Sequence, residues 1–253
     1  MSALLWSGSL RGYVPSEREL VPMEMQRIRL IHRSPCGSGT MTLRFSKPEG
    51  YSFKAGQFAM LEVECEAGAV RKPFTIASAP QDPWLEFTTR LSESCFKQAL
   101  AAMREGDGAA VSASTGKIVL PGIPGPVGFL VGGVGVTPAH SILRDNALTR
   151  TGLEAVLFYG NRDVDCMPYA EEFDAMVDSG VRTIHVLEAP PDGWTGERGF
   201  ITADMVRRYV DSPESLLWLT AGPPAMAEAM VRVFDALGVP EDRRMIERFT
   251  GYV

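Results

Sequence analysis

Two stretches of this sequence combine residue types that handle phosphorylated and planar ligands. The first is Phe129-Leu-Val-Gly-Gly-Val-Gly-Val-Thr-Pro138. An apolar run ends in a glycine-rich turn that opens a helix. Glycine lets backbone approach a ligand closely, and a helix N-terminus favours a diphosphate. Pro138 suits the first helical turn, where its missing N–H has no intrahelical partner. The run is neither Gly-x-Gly-x-x-Gly nor a Walker loop, and an ordinary strand-to-helix turn is the competing reading. The second stretch is Arg71-Lys-Pro-Phe-Thr-Ile-Ala-Ser-Ala-Pro80. Its two cations can pair with a diphosphate, its aromatic can stack on a planar ring, and its hydroxyl can bond a heteroatom. An edge strand with a solvated basic pair is the alternative. Two shorter stretches complete the set. Leu219-Thr-Ala-Gly-Pro-Pro-Ala-Met226 is a second strand-to-helix turn, and Glu247-Arg-Phe-Thr-Gly-Tyr-Val253 places a carboxylate and two aromatics near the end of the sequence.

These stretches need two kinds of scaffold. The segment Leu120-Pro-Gly-Ile-Pro-Gly-Pro126 excludes helix and central strand, so it divides the chain into residues 1–122 and 123–253. The first part reads as short strands: Met23–His32, Met41–Phe45, Phe58–Val63, Phe74–Ile76, Leu85–Thr89 and Ala109–Ala113, with one helix over Ser94–Met103. Short strands at regular spacing predict an antiparallel barrel or sandwich. The second part alternates. Strands are expected over Val127–Val131, Glu154–Tyr159, Thr183–Leu187, Ser215–Leu219 and Arg244–Phe249. Helices are expected over Pro138–Asn146, Tyr169–Val177, Ala203–Tyr209 and Pro224–Leu237. That rhythm predicts a doubly wound parallel sheet with helices on both faces.

Composition removes several function classes. Formal net charge is −6, with 14 Lys+Arg against 12 Asp+Glu up to Gly122 and 11 against 19 beyond it. An acidic chain is a poor nucleic-acid binder. No apolar run approaches a membrane span, and the first residues lack a basic leader, so neither membrane insertion nor secretion is expected. Cys36, Cys65, Cys95 and Cys166 form no Cys-x-x-Cys pair, and His32, His140 and His185 are scattered. No metal site, iron–sulfur ligation or disulfide framework is expected, and the thiols suggest a cytoplasmic location. No Gly-x-Ser-x-Gly elbow occurs, so Ser/His/Asp hydrolysis is not expected either.

The order Arg-Lys-Pro-Phe-Thr-Ile-Ala-Ser, Gly-Gly-Val-Gly-Val-Thr-Pro, Phe158-Tyr-Gly-Asn-Arg162, Ala-Gly-Pro-Pro-Ala-Met and Glu-Arg-Phe-Thr-Gly-Tyr resembles the ferredoxin–NADP(H) reductase-like superfamily. The resemblance runs from about Glu19 to Tyr252. It implies an FAD-binding antiparallel β-barrel followed by a nicotinamide-nucleotide domain. By that resemblance Lys72 stands where the family has arginine, with Arg71 and Pro73 beside it. Phe74 would stack on the isoalloxazine and Thr75 would bond near its N5. A lysine keeps the charge but loses the bidentate fork, and Arg71 is the expected compensation. Ser94, Cys95 and Phe96 match a second diphosphate contact whose family glycine is missing here. Gly133, Gly135, Thr137 and Pro138 match the nucleotide loop, and Gly222, Pro223 and Pro224 match the later one. Ala221 replaces a cysteine often found there. Glu247 matches a terminal acid near the active site, and Phe249 or Tyr252 would cover the far flavin face.

The resemblance implies hydride transfer from nicotinamide to flavin N5, with Thr75, Thr137 and Glu247 at the reacting centre, and single electrons passed on to an acceptor. No fused ferredoxin module is expected, so a separate protein or a small molecule is the expected acceptor, with a ferredoxin-type protein as the first reading. Arg27, Arg29, Arg33, Arg44 and Lys47 are candidates for a surface attracting it. Two alternatives stay open. One is a reductase of free flavin, ferric chelates or quinones. The other is an electron-relay or non-catalytic subunit of a larger redox complex. The donor is NADH or NADPH. Arg162 suits a 2′-phosphate, whereas Asp163 and Asp165 repel it and favour NADH.

Overall fold

A computed structural model describes residues 24–37, 39–122 and 125–249. Tyr252 lies outside the described residues, as do Ile123 and Pro124 at the expected domain boundary. The first half is a six-stranded antiparallel sheet. Its strands are β1 (Met25–Pro35), β2 (Thr40–Ser46), β3 (Phe58–Cys65), β4 (Gly68–Thr75), β5 (Trp84–Arg90) and β6 (Gly108–Ser112), ordered β4-β3-β6-β1-β2-β5. Alternation along the strands gives this sheet one apolar face. Ile28, Leu30, Leu43, Phe45, Ala59, Leu61, Phe87 and Val111 turn inward onto one core. Helix α1 (Cys95–Ala102) adds Phe96 and Leu100 to that core.

β4 is longer than the sequence pattern predicts. Its first six residues carry no fully buried side chain, so the hydrophobic signal begins only at Phe74. Pro73 is tolerated because β4 is the edge of the sheet, where a lost N–H breaks no ladder.

The second half is a parallel sheet ordered β10-β9-β8-β7-β11-β12, made of β7 (Val127–Gly132), β8 (Ala155–Asn161), β9 (Val181–Leu187), β10 (Glu197–Arg198), β11 (Leu217–Gly222) and β12 (Arg244–Arg248). Helices α2 (Thr137–Thr149), α3 (Ala170–Asp174), α4 (Ala203–Tyr209) and α5 (Pro224–Leu237) cover it. β7 is buried on both faces. Phe129 and Val131 pack in one core while Leu130 packs in the other. That explains its unbroken apolar run. α5 buries Ala227, Met230, Val233, Phe234 and Leu237 at helical spacing and stops at Gly238, whose φ of 71° is left-handed. α3 starts one residue later than the predicted Tyr169–Val177, because Tyr169 itself takes a left-handed conformation, φ 66°, and it gives way to a 3-10 turn at Val177–Ser179. The two-residue edge strand β10 has no signal in the sequence pattern.

Strand order reverses between β7 and β11, and open α/β sheets bind ligands at the carboxyl ends of strands at such a point. Both glycine-bearing turns leave the sheet there. Ala55, Ile118 and Leu120, before the expected boundary, pack into the second core. The two halves therefore meet across a continuous seam.

Candidate functional site

A cavity of about 680 Å³ opens at this seam. Lys72, Pro73, Phe74 and Thr75 line it from β4, and Ser94, Phe96 and Lys97 from the start of α1. Val134 and Thr137 come from the glycine-rich turn, and Glu247 and Phe249 from β12 and the residues after it. Stretches far apart in sequence thus converge on one space, with a volume ordinary for cofactor pockets.

The cations sort by strand alternation. Lys72 faces the cavity, but its neighbour Arg71 turns to the opposite side. There it pairs with Glu62, directly across the β3–β4 ladder. Arg71 is therefore not the compensation for Lys72 that the sequence suggested, because adjacent strand residues face opposite sides. Arg90 and Arg248 line the cavity too, and so does Lys97, which sequence reasoning missed. Its ammonium lies 4.5 Å from the Phe74 ring centroid and donates to the Thr89 hydroxyl. Burial, with the nearby Lys72 charge, presses Lys97 down to about 8. Its signal was faint: a cation on the turn that begins at Ser94, one residue beyond a buried Phe96.

Phe74 is a wall residue with little free surface. It is buried, stacks on Phe96 at 5.7 Å and meets Phe87 edge-on. Ser94 caps α1 without a side-chain hydrogen bond. Cys95 does not face the cavity; its sulfur lies 2.6 Å from that of Cys65. Glu247 is the other unusual group. Its Oε2 is buried with no hydrogen-bond partner, and burial pushes the carboxyl up to about 7. Phe249 is tied to the second loop by its N–H, which donates to the Gly222 carbonyl at 2.8 Å.

The glycines divide their work. Gly133 has φ +50° and open space where a Cβ would stand, and its N–H donates to Asn161 Oδ1 at 3.1 Å. Gly135 is buried, and a Cβ there would lie 2.2 Å from the Ala221 carbonyl oxygen. Gly135 thus lets the two glycine-bearing turns pack together. Thr137 opens α2 with its hydroxyl donating to the Val134 carbonyl at 3.0 Å, and Pro138 follows it in the first turn. Pro223 and Pro224 start α5. Arg162 is exposed at the end of β8 and pairs with Asp163 at 3.0 Å.

Residues 129–232 match the oxidoreductase NAD-binding domain family. The chain is 26% identical over 255 residues to NADH-cytochrome b5 reductase 1 of Emericella nidulans, covering 94% of this chain and 82% of that protein. A crystal structure of a cytochrome P450 reductase from Amycolatopsis superposes with a TM-score of 0.79 at 24% identity, covering 90% of this chain and 71% of that one. A ferredoxin NADP+ reductase from Neisseria gonorrhoeae, solved with bound FAD and NADP, gives 0.74 at 20% identity, covering 85% and 92%. Both structures share the two-layer arrangement of an antiparallel half and a parallel half described above.

Proposed function

The chain belongs to the ferredoxin–NADP(H) reductase-like superfamily, and from that premise we propose that it is an NADH-dependent flavoprotein reductase serving a separate one-electron protein carrier. The observation that carries this reading is the single cavity joining Lys72-Pro-Phe-Thr75, Val134, Thr137 and Glu247 at the switch point of the parallel sheet.

The residues present fit FAD. Lys72 and Lys97 face one space together with Arg90 and Arg248, and burial with the neighbouring Lys72 charge holds Lys97 below its ordinary value, so a diphosphate would meet concentrated positive charge there. Bound FAD supplies the chemistry, taking a hydride from the nicotinamide and releasing electrons singly. The chain orients and insulates. Lys72 and Lys97 would hold the diphosphate end, with Ser94 and Phe96 at the adjoining helix start. Thr75 presents its hydroxyl from the β4 side and Thr137 from the α2 side. Val134 and Phe249 line the same space and would shield the bound rings from water. Glu247, titrating near 7, can hold or release a proton at Oε2 at physiological pH. The nicotinamide nucleotide would lie along Gly133, Thr137 and Pro138, with Gly222, Pro223 and Pro224 opposite.

NADH is favoured because Asp163 already engages Arg162, leaving a net acidic rim with Asp165. The relatives are named for different carriers, cytochrome b5 among them, so the ferredoxin expected from sequence widens to a haem or iron–sulfur carrier. Of the five cations expected to attract it, Arg44 pairs with Glu86 and lies over Trp84, and Lys47 donates to the Pro80 carbonyl. Arg27, Arg29 and Arg33 stand exposed along β1, Arg29 and Arg33 each also donating to a backbone carbonyl, and favour an acidic carrier.

Turnover with NADH against a ferredoxin, cytochrome b5, free FMN and ferric citrate tests the proposal. Reduction of a protein carrier with kcat/KM falling steeply as salt rises is expected. Reduction of the small acceptors alone, with no salt dependence, would replace it by the small-acceptor reading.

A further inference from the structure

Helix α2 begins at the cavity and continues into the seam. Thr137, His140, Ser141 and Arg144 share one face, at helical spacings of three, four and seven. Thr137 lines the cavity. The next three side chains all seize the segment that continues β4 beyond Thr75. His140 Nδ1–H donates to the Ala77 carbonyl at 2.8 Å, and the Ser141 hydroxyl donates to the Ser78 carbonyl at 2.7 Å. Arg144 grips both oxygens of Asp82, at 2.7 and 2.8 Å, and Asp82 also accepts the Ala79 N–H.

His140 is the most constrained member. It is 1% exposed, and its Nε2–H donates to Glu172 at 3.0 Å. Tyr169 stacks on its ring at 3.7 Å with an interplanar angle of 13°. A buried imidazole is costly unless its bonds return the lost hydration. An apolar side chain would fill the same space but would not fix where α2 sits along the segment. Directional bonds to consecutive carbonyls do fix it.

We propose that His140 is a positioning residue for hydride transfer: bonded to Ala77, and seconded by Ser141 on Ser78, it sets the separation between Thr137 at the nucleotide end of the cavity and Thr75 at the flavin end. This inference rests on the function proposed above. The geometry is close-coupled, since Ala77 lies two residues beyond Thr75 and His140 lies one helical turn beyond Thr137. A displacement of about 1 Å at a reacting pair costs on the order of 100-fold in rate.

Two variants of the FAD-loaded full chain test it. His140→Leu removes both ring bonds; His140→Asn keeps a donor that can reach the Ala77 carbonyl. In anaerobic single-turnover mixing with NADH, His140→Leu should slow the limiting rate of flavin bleaching about 10–100-fold. The NADH concentration giving half that rate should move less than about threefold, because binding contacts are untouched. His140→Asn should recover most of the rate. Bleaching of His140→Leu at the wild-type rate would overturn the inference. So would equal losses in the two variants with matched losses of thermal stability. Amide exchange over residues 76–80 and 137–141 reads the same link without activity. It should rise in both segments in His140→Leu and not in His140→Asn, and unchanged exchange would also overturn it. If wild-type flavin is not bleached by NADH or NADPH, the functional reading falls, and exchange alone decides whether the link exists.

Discussion

On the braced side of the seam, Glu172 sits among donors. The His140 hydrogen bond, with the charges of His140 and Arg144, holds its carboxyl below the ordinary carboxylate range despite burial. On the cavity side, Glu247 has no partner for Oε2, and burial alone drives it the other way, up to about 7. The cations differ in their charge surroundings. Arg144 grips both Asp82 oxygens, whereas Lys97 donates to the Thr89 hydroxyl and lies near the Lys72 charge. One helix, α2, serves both sides: its first residue faces the cavity and its next turn is fully bonded. A buried polar atom without a partner beside a cavity is one that a ligand can meet, and here the satisfied groups next door hold that space to shape.

The largest expected effect breaks the braced side. Asp82→Ala leaves the Arg144 guanidinium without its bidentate partner and the Ala79 N–H without an acceptor. It should destabilise the protein by about 3 kcal/mol in urea unfolding. A loss within experimental error would show that the brace contributes little.

Next comes the cavity. Lys97→Met should weaken FAD binding by about 10–100-fold, the value of a charged hydrogen bond, measured by fluorescence titration. Arg71→Met should change it by less than about twofold, because Arg71 faces Glu62 on the other side of β4. Equal effects would dissolve the distinction between the two cations.

The two carboxylates predict opposite pH slopes. The folded state binds the Glu247 proton more tightly than the unfolded chain, between the ordinary 4.5 and about 7. Its contribution therefore falls as pH rises through that window. Glu247→Gln should remove this slope and raise stability at pH 8 by about 1–2 kcal/mol, allowing for partial solvent screening. For Glu172 the sign reverses. Its contribution is complete above the ordinary carboxylate value and is lost as pH falls through its lowered one, so Glu172→Gln should cost stability at neutral pH and little in strong acid. Parallel pH profiles for the two variants would contradict the comparison.

The smallest effect concerns the donor. Asp163→Ser with Asp165→Ser should lower KM for NADPH by about threefold to tenfold by removing like charge near Arg162. An unchanged NADH preference would remove the electrostatic argument.

Much of this was legible in the residues. The apolar run before Gly132, the proline-started helices and the Gly-Pro-Pro turn each carry their own local cause, and α5 falls over Pro224–Leu237 as periodicity predicts. β4 was under-read because an exposed edge strand has little hydrophobic signal. Lys97 and His140 were not legible as site residues for a different reason. Their roles depend on what another chain segment presents, Lys72 for one and the Ala77 carbonyl for the other. Arg71 was misassigned because sequence adjacency on a strand places side chains on opposite faces.

The most direct test of the central claim is an anaerobic visible spectrum of the FAD-supplied protein, before and after NADH and then NADPH. Retained flavin bands near ~370 and ~450 nm that bleach with NADH are expected for a cavity where flavin and nicotinamide meet. A protein that retains no FAD, or retains it unbleached by either nucleotide, would contradict the account: the fold would then persist without the chemistry assigned to its cavity.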